Sequence, residues 1–157
     1  MQSTTLRETV DLSAYPELTV IILGFKLRRL RAFPAMLRIG RGLSQIRRNP
    51  PEGLLAHEQM MFAWNHIGFR QYWRDLPSLE RFTRSMPHSD WWRDFTRDPQ
   101  GAGFWHETYG AQGIEAIYVN LPGQRLGLGQ FAPVVEPVGT LLSARQRLKV
   151  HAEAHVA

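Results

Sequence analysis

Two segments that read as strands, Leu54 to Ala63 and Ile67 to Trp73, flank the tight turn Asn65-His66, and this hairpin constrains the rest of the chain more than any other feature. In the first segment Leu55, His57, Gln59 and Met61 fall on one face, and Leu54, Ala56, Glu58, Met60 and Phe62 on the other. In the second, Ile67, Phe69, Gln71 and Trp73 oppose Gly68, Arg70, Tyr72 and Arg74. The hairpin cannot start earlier, because Asn49-Pro50-Pro51-Glu52-Gly53 breaks any regular element.

Elements on either side complete a pattern. Thr19 to Leu27 is a β-rich run. Pro34 suits the first turn of a helix, and Ala35, Met36, Leu37, Ile39, Leu43 and Ile46 keep helical spacing after it. Gly40 and Gly42 weaken that helix by roughly 1 kcal/mol each against alanine. Beyond the hairpin, Asp75 or Ser78 can cap a second helix bearing Leu79, Phe82 and Met86. Pro87 ends it, and His88-Ser89-Asp90 begins a helical continuation with Trp91, Trp92 and Phe95. The turn Asp98-Pro99-Gln100-Gly101 leads to a strand from Phe104 to Ala111, with Ile114 to Leu121 as its partner strand. Strand, helix, strand, strand, helix, strand is the order of a split βαβ unit. It predicts an α+β, ferredoxin-like antiparallel sheet with both helices on one face. The other face then carries aromatics in water, which a monomer does not tolerate over a large area. A second sheet from a twin subunit and a ligand between sheet and helices are both expected as cover.

The chain has 157 residues, 43% hydrophobic and 21% charged, which excludes a disordered tail and fits one globular domain. It has no cysteine, which excludes a disulfide scaffold, a cysteine nucleophile, a thiolate zinc site and an iron–sulfur cluster, and fits the cytoplasm. The apolar run Thr19 to Gly24 is far short of the ~20 residues that cross a bilayer, so neither a membrane span nor a signal peptide is expected. Residues 1–17 read as an irregular arm, 18–130 as the ferredoxin-like domain and 131–157 as an extension. In that extension Ala132 to Val138 is a strand or an extended wrap, and Leu141 to His155 a helix, basic at Arg145, Arg147 and Lys149. The glycine-rich stretch from Pro122 to Gly129 has neither the Lys-Ser/Thr of a P-loop nor the spacing of a dinucleotide fingerprint. Formal charge is +5, and no acidic residue lies between Glu17 and Glu52, an interval holding Lys26, Arg28, Arg29, Arg31, Arg38, Arg41, Arg47 and Arg48. Such a block can attract nucleic acid, an anionic membrane surface or an acidic small molecule, and its ordinary account is a solvated helix face. Nucleic acid is not expected, because no helix-turn-helix, RNP aromatic pair or zinc finger accompanies the charge.

Six histidines, at 57, 66, 88, 106, 151 and 155, form no metal-binding spacing. His66 in its turn and the tail histidines read as solvated. His106 and Glu107 are neighbours on a strand and so point to opposite faces. One face then holds Trp105, Glu107 and Tyr109, the other Phe104, His106 and Thr108. Glu58 and Glu107 are expected either buried, with raised pKa, or paired with an arginine such as Arg70 or Arg74. Trp91 and Trp92 cannot share a helix face, so one is expected in the core and the other towards a cleft or a partner.

Three stretches together carry a resemblance: Gln71-Tyr72-Trp73-Arg74-Asp75, His88-Ser89-Asp90-Trp91-Trp92-Arg93-Asp94-Phe95, and Trp105-His106-Glu107-Thr108-Tyr109 followed by Tyr118-Val119-Asn120-Leu121-Pro122. Over about residues 18–130 the chain resembles the monooxygenase-like family related to a fungal enzyme of the fumagillin pathway, within the dimeric α+β barrel superfamily. The resemblance implies a homodimer with a pocket between sheet and helices in each subunit, and oxidation of an apolar conjugated or aromatic small molecule in secondary metabolism. It also implies one of two cofactor states. In the first, no cofactor is needed and the substrate's own carbanion reduces O2. In the second, haem is held by a histidine near the end of the second helix, where His88 stands. Cofactor-free oxygenation requires a base, an apolar box and a donor for the developing oxyanion. His88 or His106 can be the base, with Glu107 as an acid on the same strand. Phe69, Trp73, Trp92 and Trp105 can form the walls, and Tyr72, Tyr109 or Asn120 the donor. A haem-dependent dehydratase or lyase, and a non-catalytic binding barrel, are the alternatives.

Overall fold

The computed structural model describes residues 5–99, 101–110, 113–121 and 126–154, with the backbone alone at 35, 36, 38, 39, 42–44, 151 and 154. Gln100, Ala111, Pro122 to Arg125 and His155, named in the expectations above, lie outside the described residues, as does the side chain of His151. The elements in chain order are β1 Arg7–Val10, β2 Thr19–Leu27, α1 Phe33–Arg48, β3 Leu54–Ala63, β4 His66–Trp73, α2 Leu76–Arg84, α3 His88–Arg97, β5 Ala102–Tyr109, β6 Tyr118–Val119, β7 Val134–Val135 and α4 Ala144–Ala154. They divide into two compact units, one from Thr19 to Tyr109 and one from the segments before and after it.

The Thr19–Tyr109 unit is a four-stranded sheet of order β3-β4-β2-β5, antiparallel throughout. This is the ferredoxin-like arrangement the element order predicts. Register decides which side chains meet. β2 sets Ile21 opposite Gln71 and Thr108, Leu23 opposite Phe69 and His106, and Phe25 opposite Ile67 and Phe104. These residues form the helix-facing side, since Ile21 and Trp73 pack with Leu79 and Phe82 of α2. Leu27 and Ala102 likewise pack with Ala32, just before α1, and Phe95 of α3. Asp75 is the cap of α2: its Oδ1 accepts from Ser78 N–H at 2.7 Å. Hydrogen bonds from Ser78 and Arg74 hold its carboxyl down at about 2.

Three expectations are corrected here. β3 does not alternate strictly: a bulge at Leu55 puts Leu54 opposite Trp73 while His57 lies opposite Gln71, so Leu54 joins the face of His57. The region of Ile114 to Leu121 is not the partner of β5. β6 is two residues long and pairs with β1. The local polar groups are already engaged there: Thr9 Oγ1 donates to Ala116 O at 2.7 Å, and Asn120 N–H donates to Leu6 O at 3.0 Å. The arm of residues 1–17 is not irregular throughout, because β1 is the central strand of a three-stranded sheet of order β6-β1-β7.

The second unit has its own interior, with Val10, Leu12, Leu18, Leu128 and Ala132 buried and Tyr15 packed edge-on against Phe131 at 5.0 Å. Within it Arg147 of α4 is 4% exposed, donating to Glu115 Oε2 at 2.7 Å and to Leu141 O at 2.8 Å. Removing one member of such a pair leaves the other charge poorly solvated. Arg147→Met is therefore expected to destabilise the protein by about 2 kcal/mol, read from the urea midpoint at unchanged slope; a shift within error would show that the pair contributes nothing.

Candidate functional site

The helix-facing side of the four-stranded sheet gathers three imidazoles among aromatic rings. His57 on β3 lies parallel to Phe69 on β4, with ring centroids 5.2 Å apart. Its Nδ1 is 3.1 Å from Gln71 Nε2, and Gln71 Oε1 accepts from Trp73 Nε1–H at 3.2 Å. Gln71 and Trp73 are buried, at 3% and 0% exposure. Indole is a donor only, so Trp73 fixes which end of the Gln71 amide faces it. The amide NH2 must then point at His57, whose Nδ1 accepts, and the neutral ring carries its proton on Nε2. Burial, and then the charge of Arg47, push the His57 pKa below its ordinary value, with Glu58 opposing. The ring therefore stays neutral near pH 7.

His88 is held in the opposite tautomer. Its Nδ1 lies 3.1 Å from the Thr83 carbonyl, an acceptor only, so the proton sits on Nδ1 and Nε2 is a bare lone pair. Burial pushes its pKa down against the opposing hydrogen bond to Thr83. Phe82 links the two histidines: its centroid is 5.3 Å from that of Trp73 and 4.9 Å from that of His88. Among the described residues neither His57 Nε2 nor His88 Nε2 has a hydrogen-bond partner. A second aromatic cluster continues the same side: Trp92 lies 5.2 Å from Phe104, and Phe25 lies 5.1 Å from Phe104 and 6.0 Å from Phe95. His106 is at its edge, exposed, with its ring 5.8 Å from Phe104. Of the tryptophan pair, neither ring is buried: Trp91 is half-buried near His88 and Trp92 is 47% exposed.

The structure thus brings His88, His106, Phe69, Trp73 and Trp92 to one side of the sheet. Tyr72, Trp105, Glu107 and Tyr109 face the other side, by the same alternation that separates His106 from Glu107. There the Tyr109 hydroxyl donates to Glu107, and that carboxylate raises the phenol's pKa. Arg70 pairs with Glu58 at 2.6 Å and lies over the Tyr72 ring. Glu58 is thus ion-paired, one of the two alternatives for it. Val20 and Tyr72 are buried, so this side is not uniformly open, while Tyr109 is 46% exposed. Asn120 belongs to the second unit, where its Oδ1 accepts from Leu6 N–H at 3.1 Å.

His66 is not solvated, as its expected turn position implied. It is the first residue of β4, and its Nε2 accepts from Trp105 Nε1–H at 2.8 Å beside Phe62. Glycine makes that contact possible: a Cβ on Gly24 would lie 2.5 Å from Trp105 Nε1 and 2.8 Å from His66 Nε2. His57, Gln71 and Phe82 are not among the candidate site residues that the sequence suggests. The available signal was a lone amide between Phe69 and Trp73 on a strand face that must be buried. Buried amides are retained when their hydrogen bonds are filled.

Among the described residues no group of three or more His, Asp or Glu side chains is placed to hold a metal ion, and no helix is long and apolar enough to cross a membrane. The fold has known counterparts. Aldoxime dehydratase superposes with a TM-score of 0.66 at 20% identity, over 93% of this chain and 44% of that one. Aldoxime dehydratase in complex with butyraldoxime gives 0.65 at 21%, over 93% and 43%. A protein of Shewanella oneidensis gives 0.50 at 11%, over 65% and 93%. These likenesses are of fold, and the chain spans less than half the length of aldoxime dehydratase. No curated protein matches the sequence. The sequence profile described as monooxygenase af470-like matches residues 18–128, and on that match the chain belongs to the monooxygenase af470-like family.

Proposed function

We propose that this protein is a monooxygenase-type oxidoreductase acting on a flat, apolar, conjugated molecule that carries an ionisable O–H or C–H. The observation that carries this reading is the pair of complementary imidazoles on one aromatic-lined side: His88 offers a bare Nε2 and His57 an Nε2–H. His88 removes the substrate proton, and His57 donates to the oxygen on which negative charge grows. Phe82, Trp92 and Phe104 supply ring faces for a flat guest, while Phe69 and Trp73, buried at 3% and 0% exposure, back the wall and do not reach the guest. His106 stands at the edge as a second base for a ligand entering there. Deprotonation makes the substrate a reductant for O2. One oxygen atom enters the product, the other leaves as water, and the substrate supplies the electrons, so no cofactor is required. The functional unit is a homodimer in secondary metabolism, in which Glu107 and Tyr109, exposed on the far side of the sheet, contribute to the subunit contact.

A second reading rests on the same histidine. An imidazole whose Nδ1–H is tied to a carbonyl and whose Nε2 is bare is a donor arrangement suited to holding a metal centre. His88 is therefore the residue that would hold haem, and haem would supply one-electron and O2 chemistry. The visible spectrum of the protein as purified, together with O2 uptake on polycyclic phenols, separates the readings. A colourless protein that consumes O2 with a phenol and yields a quinone supports the first, and a Soret band that His88→Ala abolishes supports the second. A colourless protein that binds phenols without O2 uptake would leave a binding barrel.

A further inference from the structure

One end of the four-stranded sheet collects exposed apolar side chains and cations that the proposed chemistry does not use. β2 runs out at Leu27, whose N–H donates to Asn65 O at 2.8 Å, while Asn65 Nδ2 donates back to Leu27 O at 3.1 Å. These bonds place the β3–β4 hairpin tip beside the segment from Arg28 to Phe33. Arg28 N–H in turn donates to Gly101 O at 2.9 Å, which fixes the segment across the sheet end.

The apolar side chains at this end stand in solvent: Leu30 is 82% exposed, Trp64 79%, Met61 75% and Phe33 52%. They come from two chain segments tied together by the Leu27–Asn65 hydrogen bonds, so they share one end of the sheet. Around them lie Lys26, Arg28, Arg29 and Arg31, all exposed. Among the described residues none of the four forms an ion pair. The neighbouring sequence supplies no counter-charge either, because no Asp or Glu occurs between Glu17 and Glu52.

From this juxtaposition we infer that the end of the sheet formed by Lys26–Phe33 and Met61–Trp64 docks on an anionic phospholipid surface. Each component has its counterpart there. Unpaired Lys and Arg are drawn to acidic headgroups, and their field reaches about a Debye length, roughly 8–10 Å at physiological salt. Trp is favoured at the headgroup level, where an apolar body and a polar N–H are both accommodated. Leu, Met and Phe beside it give the shallow apolar insertion of interfacial binders. A nucleic acid would satisfy the cations but would leave Leu30 and Met61 in water. The inference stands apart from the proposed chemistry and does not depend on which cofactor state holds.

Co-sedimentation of the full chain with vesicles tests it, using phosphatidylcholine alone and phosphatidylcholine mixed equally with phosphatidylglycerol. The expected result is binding to the mixed vesicles only, released by high salt, with a blue shift of tryptophan emission that Trp64→Phe removes. Arg28→Ser/Arg29→Ser/Arg31→Ser is expected to weaken partitioning about a hundredfold, from the usual contribution of each cation at an anionic surface. Trp64→Ser, a single change at an exposed position, provides a second variant expected to weaken it while leaving the melting temperature unchanged. Absence of co-sedimentation, equal binding to neutral vesicles, or binding indifferent to both variants would overturn the inference. So would tight binding to duplex DNA with none to the vesicles.

Discussion

His88→Ala is expected to lower turnover about 10²- to 10⁴-fold, the usual contribution of a positioned general base, while the protein remains folded. The reasoning starts from the tautomer. Thr83 O can only accept, so His88 keeps its proton on Nδ1 and presents Nε2 as a base without internal competition. Burial lowers its pKa from the ordinary 6.5, so the base form persists somewhat below that value. In the wild type kcat/KM should therefore be flat above pH 6.5 and decline only below it. The same shift has a consequence for stability. A histidine whose pKa is lower folded than unfolded stabilises the fold fully above the unfolded value, and that contribution is lost as pH falls through the folded one. Acidification from 6.5 downward should thus lower the melting temperature, less steeply in His88→Ala. Imidazole added to the medium should restore part of the variant's activity by occupying the vacated space. Undiminished activity in His88→Ala, measured as O2 uptake, would remove His88 from the chemistry.

How far the sequence discloses this arrangement differs by element. Local signals were sufficient for β2, β3, α1 and the second half of the hairpin, where alternation, helical spacing and the Asn49–Gly53 breaker act within a few residues. Asp75 and Ser78 both read as caps for α2, and the geometry selects Asp75, whose Oδ1 accepts from the Ser78 backbone N–H. The pairing of β6 is not legible in the sequence because its partner lies more than a hundred residues away: alternation says that a segment is extended, not which strand it meets. The bulge at Leu55 was equally invisible, since one extra residue leaves no mark on composition and yet moves Leu54 to the side of His57. At the candidate site, the separation of His106 from Glu107 followed from strand geometry alone. Which of the two faces the helices required knowing where Leu79 and Phe82 pack. Tautomers needed more still. That His57 donates and His88 accepts follows from Trp73, Gln71 and Thr83, three residues that motif spacing gives no reason to single out.

Trp73→Ala is expected to destabilise the protein by about 3–5 kcal/mol, the range for removing a large aromatic from a core. Trp73 has no exposed surface and is the largest fully buried side chain among the described residues, packed with Ile21, Leu79 and the ring of Phe82. Small domains have only about 5–15 kcal/mol of stability in total, so this loss should be plain in a denaturant titration. A midpoint shift below ~1 kcal/mol would mean that the core closes over the vacancy. The more discriminating substitution is Trp73→Phe, which keeps most of the ring packing but deletes the Nε1–H. Gln71 Oε1 then loses its donor while buried, at a cost of about 1–3 kcal/mol, and the amide is no longer held in one orientation. Once it can turn over, Gln71 can present either an acceptor or a donor to His57 Nδ1, and the Nε2–H tautomer is no longer enforced. Nitrogen chemical shifts of His57 report this directly: the wild type should show a single Nε2–H form, and Trp73→Phe a mixture of both. If the wild-type ring instead carries its proton on Nδ1, His57 cannot be the donor to a developing oxyanion, whatever the activity of the variants. If the single form is present and persists in Trp73→Phe, the orientation of Gln71 is imposed by something other than the indole.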